Sequence, residues 1–190
     1  MHNEEKISFL QKKYINCDAC PLACLGRSKV VFGQGATPAQ IMIIGEAPGA
    51  EEDTTGRPFV GRAGQLLRTL LQEIIPTNYS IFISNVVKCR PPQNRKPTKQ
   101  ESKICAHLLL HKEIEIVKPR LIIAAGSTAL LTLVPQAPAI LKARLNLFLY
   151  QEIPLVPALH PSFCLRFPTM QNELKKDLLF ALLTLKNMEK

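Results

Sequence analysis

Four cysteines and three strand-end side chains carry the chemistry this sequence could do. Cys17 and Cys20 form a C-x2-C pair, and Cys89 and Cys105 follow far downstream as C-x15-C, on either side of a basic stretch. Cys24 and Cys164 are left over. Cysteines two residues apart can place both sulfurs on one metal or cluster. The second pair lacks the C-x2-C spacing of a zinc ribbon, so spacing leaves zinc, an iron–sulfur cluster and unligated core thiols open. A thioredoxin-like role does not fit, because this C-x2-C precedes the first predicted strand instead of following one. Outside the cysteines stand a carboxylate, Glu46, an amide, Asn85, and an imidazole, His160.

These groups need elements to bring them together. Apolar runs at 40–44, 81–87, 121–125 and 153–159 predict buried strands, and 145–150 predicts an edge strand. Helical periodicity covers 4–15, 61–75, 98–117, 127–133 and 172–188. Thr98, with Glu101 three residues on, has the capping-box pattern. Strands alternating with helices predict an α/β fold, a parallel sheet with helices on both faces. The 190 residues suit a single domain, 1–190. In such sheets ligands bind just outside the carboxyl ends of the strands. Those ends carry Gly45 and Glu46, Asn85 with Val86 and Val87, Gly126 and Ser127, and His160, so the topology predicts one site.

The charge balance points to a polyanion. Lys and Arg number 24 against 15 Asp and Glu, a net charge of +9. A basic surface raises the local concentration of nucleic acid and speeds encounter with it. The Pro-rich loop 90–99 places Arg90, Arg95, Lys96 and Lys99 together as a predicted phosphate-contacting surface, with a solvated loop as the alternative. The opening residues lack the apolar stretch of a signal peptide, and no run reaches membrane-spanning length. The expected location is the cytoplasm, with no membrane partner, where paired disulfides are rare.

Three blocks then carry a resemblance. They are GEAPG from Gly45 continuing AEEDTTGRPFVGRAGQLL, NVVKCRPP from Asn85 continuing QNRKPT, and HPS from His160 continuing FCLR. With C-x2-C and VFGQG at 31–35, they resemble the family 4 uracil-DNA glycosylases, the iron–sulfur bacterial and archaeal type. The match runs from about Cys17 to past Arg166. It implies a three-layer α/β/α sandwich around a central, mainly parallel four-stranded sheet. It implies a monofunctional enzyme of base excision repair that flips uracil from DNA and hydrolyses the N-glycosidic bond, leaving an abasic site. The expected partner is uracil-containing DNA, double- and single-stranded, bound by a monomer.

The resemblance also implies a 4Fe–4S cluster on Cys17, Cys20, Cys89 and Cys105. It places Phe59 on the uracil ring, Asn85 on the base edge and His160 at uracil O2. Gly45, Ala47 and Ser162 line the base, and Glu46 or Glu52 lies beside the sugar and the attacking water. Residues 162–166 would form a loop entering the duplex, with Leu165, Phe163 or Cys164 as the wedge and Arg166 on a phosphate. Two departures stand out. Ala47 occupies the position where family 1 enzymes carry an Asp general base, and Cys164 replaces a larger aliphatic residue. No His follows in 93–100, where a related branch that traps DNA covalently carries one, so hydrolytic turnover is expected. A phosphate hydrolase fits poorly, because the turn after the first strand lacks the P-loop Lys and carries a carboxylate.

Overall fold

A computed structural model describes residues 2–189. The four apolar runs form parallel neighbours at the centre of the sheet. With β1 (Gln34–Gly35) first in the chain, they are β2 (Ile41–Gly45), β3 (Ile81–Asn85), β4 (Leu121–Ala125) and, after β5 (Phe148–Tyr150), β6 (Ile153–Ala158). β2 and β4 are buried along their whole length, as strands covered on both faces must be. The expected four-stranded sheet is corrected to six strands in the order β1-β3-β2-β4-β6-β5. Both edge strands run antiparallel, which makes the sheet mixed. β5 falls inside the predicted edge strand. β1 has only two residues, both exposed, so it has no alternation to read.

The helices are α1 (Asn3–Lys13), α2 (Ala50–Thr55), α3 (Arg62–Ile74), α4 (Lys99–Cys105), α5 (His111–Val117), α6 (Ser127–Leu133), α7 (Ile140–Ala143), α8 (Pro161–Arg166) and α9 (Gln171–Asn187). The capping box at Thr98 forms: Glu101 N–H donates to the Thr98 hydroxyl, and Thr98 N–H donates to the Glu101 carboxylate. The helix expected unbroken over 98–117 instead passes through a π-helical stretch, Ala106–Leu110. The loop expected at 162–166 is α8, started by His160 as N-cap and Pro161 in the first turn.

Alternation along the strands divides the core. Met42, Ile44 and Ile122 pack with α1, the α4–α5 run and α6 on one face, whereas Ile41, Ile43 and Ile123 pack with α3 and α9 on the other. This is a three-layer α/β/α sandwich. Register levels the tips, with Gly45 opposite Asn85 and Ala125 opposite Ala158. Among the described residues no helix is long and apolar enough to cross a membrane.

α9 is tied to the chain between β6 and His160. Asp177, fully buried, accepts the Leu159 N–H at 2.9 Å and the Arg144 guanidinium at 2.8 Å. Removing one partner of a buried pair strands the other charge, at about 3–5 kcal/mol. Asp177→Ala should therefore lower stability by about that amount, read as a lower midpoint in denaturant. A change within about 0.5 kcal/mol would show that the pair does not hold this helix.

Candidate active site

The strand tips open into a cleft of about 380 Å³ lined by Glu46, Ala47, Phe59, Asn85, His160, Ser162 and Leu165. With Glu52 and Arg95, which also line it, nine of the residues singled out from sequence share one cavity. Gly45 sits beneath it for a steric reason. A Cβ there would lie 2.5 Å from both Asn85 Oδ1 and Phe59 Cζ, so only glycine lets amide and ring converge.

Asn85 is 2% exposed, and its Oδ1 is the one buried side-chain oxygen or nitrogen without a hydrogen-bond partner among the described residues. Such an acceptor costs about 1–3 kcal/mol when nothing satisfies it. Native proteins rarely leave such an oxygen unmet, so a water or a ligand is expected to satisfy it.

Phe59 holds a left-handed backbone, φ 54°, uncommon for a bulky residue. Its ring is buried against the α3 face of the core and still borders the cleft, 6.2 Å from the His160 ring centroid. The surrounding chain enforces this conformation. Arg68 donates to the Phe59 and Pro58 carbonyls at 3.0 and 3.2 Å. Gly64 leaves room for the Phe59 carbonyl, which a Cβ would meet at 2.1 Å. Glu52 accepts the Val60 and Gly61 N–H groups at 2.9 and 2.8 Å on Oε1, and the Gly49 N–H at 3.0 Å on Oε2. Glu52 therefore borders the cleft with both oxygens already engaged by backbone.

His160 faces Phe59 across the cleft. Its Nδ1 accepts the Ser162 N–H at 3.2 Å and lies 2.7 Å from Ser162 Oγ. An Nδ1 that accepts leaves the proton of the neutral ring on Nε2. Burial, followed by the charge of Arg166, pulls the His160 pKa down to about 4, so the ring is a neutral donor near pH 7. Glu46 accepts the hydroxyl of buried Thr128, its one side-chain hydrogen bond among the described residues.

The profile of the uracil DNA glycosylase superfamily matches residues 32–184. The chain belongs to that superfamily. Its relatives include the Type-4 uracil-DNA glycosylase of Thermotoga maritima, 44% identical over 178 residues that cover 93% of this chain and 91% of that protein. The Type-4 uracil-DNA glycosylase of Pyrobaculum aerophilum is 42% identical over 171 residues, covering 86% of each. A Type-5 uracil-DNA glycosylase from the same organism is 32% identical over 147 residues, 62% of this chain and 64% of that protein.

This member of the uracil DNA glycosylase superfamily has a second cluster of groups on the side of the core that holds α1 and the α4–α5 run. Cys17, Cys20, Cys89 and Cys105 line one small cavity with Arg27 and Lys88. None of the four cysteines is in a disulfide. Arg27 Nη1 donates to Cys89 Sγ at 3.0 Å, and the Lys88 N–H donates to Cys105 Sγ at 3.3 Å. Burial pushes the Cys105 thiol up to about 12. Among the described residues, no three His, Cys, Asp or Glu side chains are gathered to hold a single metal ion. Exposed Cys24 and buried Cys164 lie outside the set.

The basic residues divide. Arg95 donates to both Glu101 oxygens at 2.7 and 2.9 Å, and this guanidinium is the main reason that the Glu101 carboxyl is held at about 2. Arg90 donates to Asn94 Oδ1 at 2.8 Å. Lys96 and Arg166, both exposed, border a groove of about 340 Å³ that adjoins the cleft at Glu46, His160 and Ser162. Leu165 is at the rim, half-buried. Sequence reading missed Thr128, Arg68 and Arg27, whose roles depend on contacts that no local pattern announces.

Proposed function

We propose that this superfamily member is a monofunctional uracil-DNA glycosylase, a hydrolase of N-glycosyl bonds in base excision repair. One observation carries the reading: Asn85, whose Oδ1 has no partner among the described residues, lines a cleft shared with an aromatic ring and a neutral imidazole. A base in a duplex must leave the stack to be attacked, at a few kcal/mol. Stacking on Phe59 recovers about 1–3 kcal/mol. Asn85 Oδ1 accepts uracil N3–H and its amino group donates to O4, a pattern that cytosine reverses. His160 Nε2–H donates to O2 as negative charge develops there. Glu46, oriented by Thr128, holds the water or favours the cationic sugar. Glu52 is assigned to fastening the loop that presents Phe59, because its oxygens are engaged. Ala47 supplies no base.

Arg90, Lys96 and Arg166 would contact phosphates and Leu165 would enter the stack. Arg95 is assigned mainly to anchoring the loop on α4. A Schiff-base step is not expected, since no lysine is among the described residues that line the cleft and the Nζ of buried Lys88 is bonded to Glu113, Ser84 and Asn85. The chain would act as a cytoplasmic monomer of one domain on uracil in double- and single-stranded DNA. The deciding assay incubates the purified protein with an oligonucleotide bearing a single uracil. Free uracil and an alkali-labile strand are expected. Intact DNA binding without uracil release would replace the enzyme with a damage sensor.

Cys17, Cys20, Cys89 and Cys105 would hold a 4Fe–4S cluster. An all-sulfur donor set of free cysteines around one cavity supports this, and Arg27 and Lys88 offset the negative charge of thiolates and cluster. When bound, the cluster would supply a cross-link between the turn after α1, the exit of β3 and the end of α4. The purified protein should be brown, with iron and acid-labile sulfide in equal amounts, and Cys17→Ser should lose both. Stoichiometric zinc without iron would overturn the assignment.

A further inference from the structure

Lys88 is a fully buried cation that the chemistry above does not use. All three of its ammonium donors are engaged: Glu113 Oε2 at 2.7 Å, Ser84 Oγ at 2.7 Å and the backbone carbonyl of Asn85 at 2.6 Å. Ser84 also donates to Glu113 Oε2 at 2.7 Å, and Glu113 Oε1 accepts the Gly33 N–H at 3.0 Å. The backbone of Lys88 is held as firmly, its N–H on Cys105 Sγ and its carbonyl accepting from Val31 at 2.7 Å. A buried charge is therefore fixed from every side, and what it grips is the peptide of the residue whose amide faces the cleft.

Stability alone is a poor explanation for this arrangement. Buried ion pairs commonly do no better for stability than well-packed apolar side chains of similar volume. What an apolar side chain cannot do is hold the Asn85 carbonyl, and with it the peptide plane that sets the direction of Asn85 Cα–Cβ. The helix run opposite is also irregular where this grip is built. Eight residues of regular α-helix, the separation of Cys105 and Glu113, would leave their side chains about 80° apart. The π-helical stretch Ala106–Leu110 lies between them, and both residues reach Lys88, one through its N–H and the other through Nζ. π-Segments of this kind concentrate at functional sites.

We infer that Lys88, held by Glu113 and Ser84, is a positioning residue that orients Asn85 toward the base. The inference rests on the reading that Asn85 contacts uracil. A double-mutant cycle on kcat/KM for the uracil oligonucleotide tests it, with Lys88→Met and Asn85→Ala made singly and together. Lys88→Met should lower kcat/KM roughly 10–100-fold in the parent and less than about 3-fold in the Asn85→Ala background. Inhibition by free uracil should weaken in parallel, while iron content stays at the parent level. A loss of equal size in both backgrounds, or no loss in the parent, would overturn the proposal. Should Lys88→Met fail to fold, Glu113→Gln keeps the volume and enters the same cycle with the same two outcomes. Failure of the uracil reading itself would be separate, since the parent would then release no uracil.

Discussion

His160→Ala should release uracil roughly 10²–10³-fold more slowly than the parent, with affinity for uracil-containing DNA nearly unchanged. The size follows from where charge develops. Breaking the glycosidic bond leaves negative charge on uracil O2, and a preorganised donor there acts mainly in the transition state. The proposed role needs a fixed donor, and the Ser162 N–H on Nδ1 keeps the His160 proton on Nε2. The pH dependence separates this from a charged imidazolium. An ordinary histidine gains charge as pH falls through about 6.5, whereas this ring is held down to about 4 by burial and by Arg166. A second proton must go to Nδ1, where it would displace the Ser162 N–H. The rate should thus persist as pH falls through 6 and decline only toward 4. The linked effect on stability has a definite sign. The unfolded chain takes up this proton at the ordinary value and the folded chain only near 4, so His160 subtracts stability as pH drops through that window. Single-turnover rates and DNA anisotropy across pH, on both proteins, check the claim. An acid limb at the ordinary histidine value, or a loss carried mainly by binding, would remove His160 from the donor role.

The chemistry was legible where it coincided with topology. Gly45, Gly126 and His160 each follow an apolar run and Asn85 lies two residues from the end of another, so the rule that ligands sit at strand ends brought them together without knowledge of any contact. The cysteines were legible as a set by count and by the shortness of C-x2-C, though not as a choice of metal. What escaped was of two kinds. Very short elements carry no period: β1 has two exposed residues and α8 has six, the latter set by a His–Pro start. Partnerships across distant sequence have no local signature. Thr128 and Glu46 are 82 residues apart, and Arg27 and Cys89 are 62 apart. Glu52 shows a related limit. A carboxylate beside a site reads as an acid or base until its acceptors are found on the amides of Gly49, Val60 and Gly61. The π-helical stretch was hidden because one residue of slippage leaves the apolar stripe of 98–117 readable as an ordinary helix.

Asn85→Ala should separate stability from activity. Most buried polar side chains stabilise through the bonds they make, and truncating them leaves partners stranded. Asn85 Oδ1 has no partner to strand. Removing it relieves about 1–3 kcal/mol of unmet hydrogen bonding, offset by lost packing against Gly45 and Phe59. Part of the vacated volume would merge with the open cleft, which limits the cavity penalty. The expected thermal midpoint is therefore equal to the parent's or higher. Excision should fall about 10²–10⁴-fold, because a site that recognises by hydrogen bonds loses discrimination and rate together when its donor–acceptor pair is removed. The contrast with Asp177 is instructive: that carboxylate is equally buried but bonded to Leu159 and Arg144, and its loss should unfold the protein more readily. A destabilised Asn85→Ala protein with excision intact would mean that the amide belongs to the core. A stable protein that no longer excises uracil would mean that the fold tolerates an unsatisfied oxygen because the substrate satisfies it.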